Sequence, residues 1–169
     1  MGLLNRLDNE TSGLLYFAKT PRVFHQFKTL QASSQLYKYY VAEVYGDMSF
    51  LVASSQQGVM GEAIYTVRFP MVHHKYAVER MVAIRSPRDL LKAKGFPRSV
   101  MTEILEVQVL KDKGTSIVLV RIHKGFRHQI RVHLATLGYP ICGDYLYAKS
   151  KHTQYDKLQL FSIGLETLV

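Results

Sequence analysis

Hydrophobic and polar positions along the chain alternate over short distances more often than they follow a helical period. The apolar run at residues 13–19 predicts a buried strand. Thr20 and Pro21 follow it and supply a helix N-cap with proline at the first helical position. Apolar residues recur at a three-residue spacing over 24–30, which predicts a helix that ends near 32–34 and packs one face on the core.

Residues 37–46 are rich in aromatic and β-branched types and predict a long strand that ends at Gly46. One side would present Lys38, Tyr40, Ala42 and Val44, and the other Tyr39, Val41, Glu43 and Tyr45. Further strands are predicted at residues 64–69, 78–85, 102–110 and 116–123. The last two would form a hairpin with its tip at 112–114. The sheet is therefore expected to be mostly antiparallel.

A second helix is predicted over residues 126–137. Ile130, Leu134 and Leu137 share one helical face, Gly138 ends the helix, and Pro140 follows. Strands outnumber helices without regular alternation, which favours an α+β fold with a mixed, mostly antiparallel sheet and flanking helices. The chain has 169 residues and shows neither a linker nor a repeat, so we expect residues 1–169 to form one domain.

The chain is basic, with 22 Lys and Arg against 13 Asp and Glu and a net charge of +9. Residues 68–98 concentrate this charge, with eight Lys and Arg against two acidic residues. The tail of this stretch, residues 85–99, is predicted to be a surface loop or hairpin tip. Such a surface indicates a polyanionic partner, with nucleic acid first, although a basic solvated surface explains the charge equally well.

A single cysteine, Cys142, excludes an intrachain disulfide and a multi-cysteine zinc site. The five-residue spacings of His123, His128 and His133 match no metal-ligand pattern, so we expect no metal. No segment has the roughly 20 apolar residues of a membrane span, and none resembles a secretory signal. The sequence therefore predicts a cytoplasmic protein without a membrane partner.

Asp8 lies in a polar segment between Arg6 and Thr11-Ser12-Gly13. A fixed, partly buried carboxylate needs such a setting, with a basic neighbour and with hydroxyl and backbone donors. The simpler interpretation is a corner between a loop and a strand.

Tyr40 shares a strand face with Lys38. An aromatic ring beside a cation can stack on an extruded base while the cation binds a phosphate. Ordinary cross-strand packing is the alternative for the tyrosines of this strand.

Residues 123–147 bring together further basic side chains. Lys124, Arg127, His128, Arg131 and His133 follow one another with no acidic residue before Asp144. Arg127 and Arg131 are four residues apart, so on a helix they could share one anion, either a phosphate or a carboxylate such as Asp8.

These three segments, in this order, resemble the RluA family of RNA pseudouridine synthases. The family's Asp motif corresponds to Asn5-Arg6-Leu7-Asp8-Asn9-Glu10-Thr11-Ser12-Gly13-Leu14-Leu15 with Ala18-Lys19. Its Lys-x-Tyr-x-Ala motif corresponds to Lys38, Tyr40 and Ala42, and its carboxyl-terminal motifs correspond to residues 128–133 and 138–144. The resemblance extends from residue 5 to about residue 165.

The resemblance implies isomerisation of a specific uridine to pseudouridine in ribosomal or transfer RNA. Asp8 would be the essential carboxylate, acting as nucleophile or as base, Arg131 would pair with it, and Tyr40 would pack on the target base. Arg6 would enter the RNA stack in place of the flipped uridine, and Lys38, Arg127 and His128 would bind RNA. No metal or organic cofactor is implied, and we expect a monomer.

Three departures from the family pattern change this expectation. Asn5 replaces the usual His or Gly, Phe126 replaces a common Arg, and the strands that precede the Asp motif in the family are missing before Asp8. The resemblance thus implies a partial catalytic domain. A non-catalytic RNA-binding module is the competing hypothesis, motivated by the basic charge and these missing strands.

Overall fold

The computed structural model describes residues 2–53, 62–148 and 155–168, which form an α+β fold. The strands are β1 (Gly2–Leu3), β2 (Ser12–Gly13), β3 (Phe17–Ala18), β4 (Leu36–Tyr45), β5 (Tyr65–Val67), β6 (Met71–His74), β7 (Met81–Ala83), β8 (Ala93–Arg98), β9 (Thr102–Leu110), β10 (Thr115–Ile122) and β11 (Leu160–Thr167). The helices are α1 (Pro21–Ala32), α2 (Ser49–Ala53) and α3 (Gln129–Thr136), with 3-10 helices at Pro87–Lys92 and Lys111–Lys113.

The main sheet has six strands in the order β2-β11-β4-β10-β9-β5. Its pairs are antiparallel except for β2 and β11, which run parallel. A smaller antiparallel sheet has the order β7-β6-β8, and β1 pairs with β3. The predicted fold class, a mixed and mostly antiparallel sheet with flanking helices, is confirmed.

The predicted alternation along β4 is confirmed. Leu36, Lys38, Tyr40, Ala42 and Val44 are buried, and the residues between them are half-buried. Side chains of α3 pack against this buried face in the main hydrophobic cluster, which includes Tyr40, Ala42, Val118, Val120, Ile130 and Leu134. The β9–β10 hairpin also forms as predicted, with Gly114 in the left-handed region at φ 64° after its turn.

Helix α3 begins at Gln129, three residues later than predicted. His128 adopts a left-handed conformation, with φ 54° and ψ 19°, and this conformation cannot continue an α-helix. All residues from Gln129 to Leu134 are buried, because the small sheet covers the side of α3 that faces away from β4. Val132 packs there against Met71 and Met81.

The prediction of one buried strand over 13–19 is wrong. The segment bends at Gly13, where φ is 113° and an added Cβ would lie 2.2 Å from the carbonyl oxygen of Ser162. Leu14, Leu15 and Phe17 are consequently 49%, 48% and 61% exposed.

Helix α1 begins as predicted, with the Thr20 hydroxyl accepting a hydrogen bond from the Val23 amide at 3.3 Å. Of its predicted apolar face, Phe27 is buried, whereas Phe24 and Leu30 are half-buried. The predicted boundaries of the helix are therefore confirmed, whereas its predicted apolar face is only partly buried.

The basic stretch differs most from its prediction. The strand expected at 78–85 shortens to β7, the strand expected at 64–69 shortens to β5, and β6 was not predicted. Residues 85–99 form a 3-10 helix and β8 instead of a loop. In the described part of the chain, no helix has the length and apolar content that a membrane crossing requires.

A candidate active-site cleft

One cleft of about 780 Å³ receives side chains from all three motif segments. Its size is within the range of about 300–1,000 Å³ that is usual for ligand sites. The seven residues singled out in the sequence, Arg6, Asp8, Lys38, Tyr40, Arg127, His128 and Arg131, all line it. Buried apolar side chains, including Ile122, Ile130 and Leu160, also contribute to the lining. The cleft thus combines several cations and an apolar surface with the carboxylates of Asp8, Glu10 and Glu79.

Asp8 is held in a loop that Asn5 ties to the following segment. The Asn5 amide donates to the Leu14 carbonyl at 3.3 Å and accepts from the Tyr16 amide at 2.8 Å. The Asp8 carbonyl accepts from the Thr11 amide at 2.9 Å, which closes a turn. Asn5 is 6% exposed, so its departure from the family pattern serves to brace the loop.

The Thr11 hydroxyl, which was predicted to donate to the Asp8 carboxylate, makes no hydrogen bond to it. Thr11 Oγ1 is buried and has no hydrogen-bond partner in the part of the chain that the structure describes. Asp8 itself is half-buried at the cleft wall. Its carboxylate therefore faces the cleft with less support from the loop than the sequence suggested.

The prediction that Arg131 pairs directly with Asp8 is wrong, because Arg131 forms its ion pair with Asp144. Its Nε and Nη2 atoms donate to the two Asp144 carboxylate oxygens, each at 2.8 Å. The side chains are 3% and 0% exposed. Burial alone would lower the pKa of Arg131, but the hydrogen bonds and charge of Asp144 outweigh burial and hold it above its usual value.

Asp8 still acts on Arg131 through space, as a minor contributor to that raised pKa. Arg131 Nη1 has no hydrogen-bond partner in residues 2–53, 62–148 and 155–168, and it is not among their buried unpaired atoms. Asp144 therefore positions the guanidinium, and Arg131 lines the same cleft as Asp8.

Arg127 does not share an anion with Arg131 along a helix, because Arg127 precedes the start of α3. Its guanidinium donates to the carbonyl oxygens of Val78, at 3.4 Å, and Glu79, at 3.3 Å. Arg127 therefore ties the cleft to the turn between β6 and β7, while its exposed side chain lies at the cleft edge.

Tyr40 and Lys38 project from β4 into the cleft and are each 7% exposed. Burial raises the pKa of Tyr40 to about 12, and the charges of Asp8 and Tyr16 add to the effect. Burial also lowers the pKa of Lys38, and nearby Lys28 lowers it further. Tyr40 is therefore a neutral phenol beside Asp8.

His128 is positioned by Tyr147, which was not predicted as a site residue. The Tyr147 hydroxyl accepts from the Met81 amide at 2.8 Å and lies 2.8 Å from His128 Nδ1. Burial lowers the pKa of His128, although the charge of Asp8 opposes that effect. The Tyr147 ring also lies 5.4 Å from the Arg131 guanidinium. One phenol thus supports two cleft residues.

The other two histidines of the basic segment have structural partners. His133 Nε2 contacts the Phe69 carbonyl at 3.0 Å, and its Nδ1 contacts the Thr102 hydroxyl at 2.8 Å. A carbonyl only accepts, so Nε2 carries the proton and Nδ1 accepts. His123 Nδ1 contacts the Ser34 carbonyl at 3.2 Å.

Asp144 is a second residue whose role the sequence did not reveal. The turn before it depends on Gly143, where φ is 75° and a Cβ would lie 2.0 Å from the Lys157 carbonyl oxygen. Asp144 was the first acidic residue after five possible cations, so its isolation was the signal available in the sequence. The sequence did not indicate that Asp144 would form an ion pair with Arg131.

Comparisons with known proteins identify the family that this chain is similar to. The family model described as RNA pseudouridylate synthase matches residues 1–136. Ribosomal large subunit pseudouridine synthase D of Zymomonas mobilis is 26% identical over 99% of this chain and 45% of its own length. The mitochondrial tRNA pseudouridine(32) synthase of Saccharomyces cerevisiae is 31% identical over 87% of this chain and 28% of its own length.

The solved structure titled Human RNA Pseudouridylate Synthase Domain Containing 1 shares the fold. Its TM-score is 0.75 at 21% identity, covering 96% of this chain and 62% of that chain. The chain spans 65% and 46% of the lengths of two further curated bacterial relatives. Because the family model matches well over half of the sequence, the chain belongs to the RNA pseudouridylate synthase family.

Proposed function

We propose that this protein isomerises a uridine to pseudouridine in ribosomal or transfer RNA, with Asp8 as its catalytic carboxylate. The observation that carries the proposal is the meeting of Asp8, Tyr40 and Arg131 in one cleft, although they come from three separate segments. Family membership supports the reaction class, and the names of two relatives refer to ribosomal and transfer RNA.

The reaction breaks the bond between uracil N1 and ribose C1′ and joins C1′ to uracil C5. N1 gains a proton and C5 loses one, so the product is an isomer and no oxidant or second substrate is needed. The detached uracil must rotate without leaving, which requires a closed pocket with an apolar wall. Tyr40 supplies that wall, and Asp8 acts on the sugar either by attacking C1′ or by removing a ribose proton.

The other cleft residues divide between positioning and RNA binding. Arg131, oriented by Asp144, directs Nη1 toward the reacting groups and stabilises negative charge there. Taking the target base out of its stack costs a few kcal/mol. Exposed Arg6 at the cleft wall fills the gap left by the base, while Lys38, Arg127 and His128 contact the RNA. The proposal requires no metal or organic cofactor and a monomer in the cytoplasm suffices.

The release of hydrogen from C5 gives a direct assay. RNA labelled with tritium at uracil C5 loses label to water when C5 becomes the new attachment point. Asp8→Asn should abolish tritium release while RNA binding and the circular dichroism spectrum stay unchanged, because the amide cannot act as nucleophile or base.

A matched control is Asp112→Asn, which makes the same exchange in the exposed turn of the β9–β10 hairpin and should leave the rate unchanged. Equal activity of Asp8→Asn and the parent would remove Asp8 from the reaction. Salt-sensitive RNA binding without any turnover in the parent would instead support the non-catalytic RNA-binding module.

A further inference from the structure

A second groove, of about 370 Å³, lies beside the cleft on the other side of the link between β10 and α3. Arg68, His123 and Lys124 line it together with the hydroxyl residues Ser34 and Ser99. No Asp or Glu is among its lining residues in the described part of the chain. Its chemistry is therefore that of an anion site.

The cations of this groove differ in their availability. His123 is held by the Ser34 carbonyl, and its ring lies 4.3 Å from the Tyr37 ring. Arg68 and Lys124 are exposed and have no ion-pair partner among residues 2–53, 62–148 and 155–168. Both charges therefore face solvent unneutralised.

Glu103, the acidic residue that contacts His123, forms a shorter ion pair with Arg121. Glu103 accepts from Arg121 Nε at 2.8 Å and lies 3.7 Å from His123 Nε2. The Glu103 carboxylate thus interacts with Arg121 and with Nε2 of His123. Glu103 leaves the two free cations, Arg68 and Lys124, without a competing carboxylate in the groove lining.

The groove and the cleft are separated by one short stretch of chain. His123 and Lys124 line the groove, whereas Gly125, Phe126 and Arg127 line the cleft. A Cβ at Gly125 would meet nothing closer than 3.9 Å, so packing does not require glycine there. Gly125 is exposed, so no side chain projects between the two sites at this position.

We propose that this groove binds a backbone phosphate of the RNA strand that leaves the cleft, through Arg68 and Lys124. The inference rests on the proposed function, because the strand that crosses Gly125 is the one whose uridine occupies the cleft. A phosphate contact of this kind fixes the position of the RNA without reading its sequence. Neutralising each phosphate of a single strand contributes about 0.7 to the slope of log affinity against log salt.

The test compares Arg68→Gln/Lys124→Gln with Arg88→Gln/Lys113→Gln. The control pair removes the same charge from exposed positions that line neither site. Binding of a fluorescein-labelled single-stranded RNA oligonucleotide is measured by anisotropy across a salt series. The groove variant should weaken binding about tenfold and flatten the salt slope by about 0.7, and the control should keep the parental slope. With tritiated RNA, the groove variant should raise KM and leave kcat unchanged.

Equal slopes and equal KM values in the two variants would overturn the proposal. Inorganic phosphate is titrated in parallel while the His123 ring resonances are followed. Saturation of those resonances by millimolar phosphate, with no change in the RNA salt slope between variants, would show a small-anion site and also overturn it. The binding comparison does not depend on turnover, so loss of the isomerase proposal through Asp8→Asn would be recognised separately.

Discussion

Replacing Asp144 with alanine should cost this protein a large part of its stability. The Arg131 side chain is 3% exposed and donates two hydrogen bonds to Asp144. Removing one partner of a buried pair leaves an uncompensated charge and costs about 3–5 kcal/mol. Asp144 also accepts from the amides of Leu146, at 3.0 Å, and Tyr147, at 3.1 Å. Each lost hydrogen bond adds about 1 kcal/mol, so we expect a decrease in the unfolding free energy of about 5–7 kcal/mol.

Urea unfolding followed by circular dichroism measures this loss. A domain of ordinary stability, about 5–15 kcal/mol, would be close to its limit after such a change. The double variant Arg131→Met/Asp144→Leu removes both charges and should recover about half of the lost stability, since replacing a buried pair by apolar groups is often neutral. It should nevertheless remain inactive on RNA. A loss below about 1 kcal/mol in the single variant, or a double variant less stable than the single, would show that the Arg131–Asp144 pair does not stabilise the fold in this way.

Two further changes test other parts of the site. In His133→Gln, the free energy of unfolding should depend less on pH than in the parent, because burial lowers the pKa of His133 in the folded protein. The stabilisation that neutral His133 provides is complete above about pH 6.5. Below that pH it declines by up to about 1.4 kcal/mol per pH unit, until the pKa of the folded state is reached. Urea unfolding across this range measures the difference, and parallel curves would contradict it. Tyr147→Phe keeps the ring beside Arg131 but removes the hydroxyl contact to His128. This variant should lower kcat for tritium release and change KM little. An unchanged kcat would exclude a positioning role for the Tyr147 hydroxyl.

The sequence predicted the elements whose signals are local. β4 and the β9–β10 hairpin follow from alternation and turn residues, and Thr20 marks the start of α1. The strand expected over 13–19 failed because its bend depends on the close approach of Gly13 to Ser162, a contact between distant parts of the chain. An apolar run alone carries no information about such a contact.

The residues that line the cleft could be predicted from the sequence, but the contacts among them could not. Three motifs identified seven residues that the fold brings together, because those motifs describe a family arrangement. The choice of Asp144 over Asp8 as the partner of Arg131 depends on the turn at Gly143 and on burial, which only the assembled structure defines. The role of Tyr147 depends likewise on β7, which places the Met81 amide beside its hydroxyl.

Helix α3 is anchored in three directions at once, and this limits how its position can vary. Gln129 donates to the carbonyl of Met101, Arg131 to Asp144, and His133 to the backbone ahead of β6. Sliding the helix by one residue would shift it by about 1.5 Å and turn it by about 100°, which would break all three anchors together. Substitutions elsewhere in the core should therefore not displace the Arg131 guanidinium by small steps. In variants with such core substitutions, the alignment of Arg131 and the folded structure should be lost together.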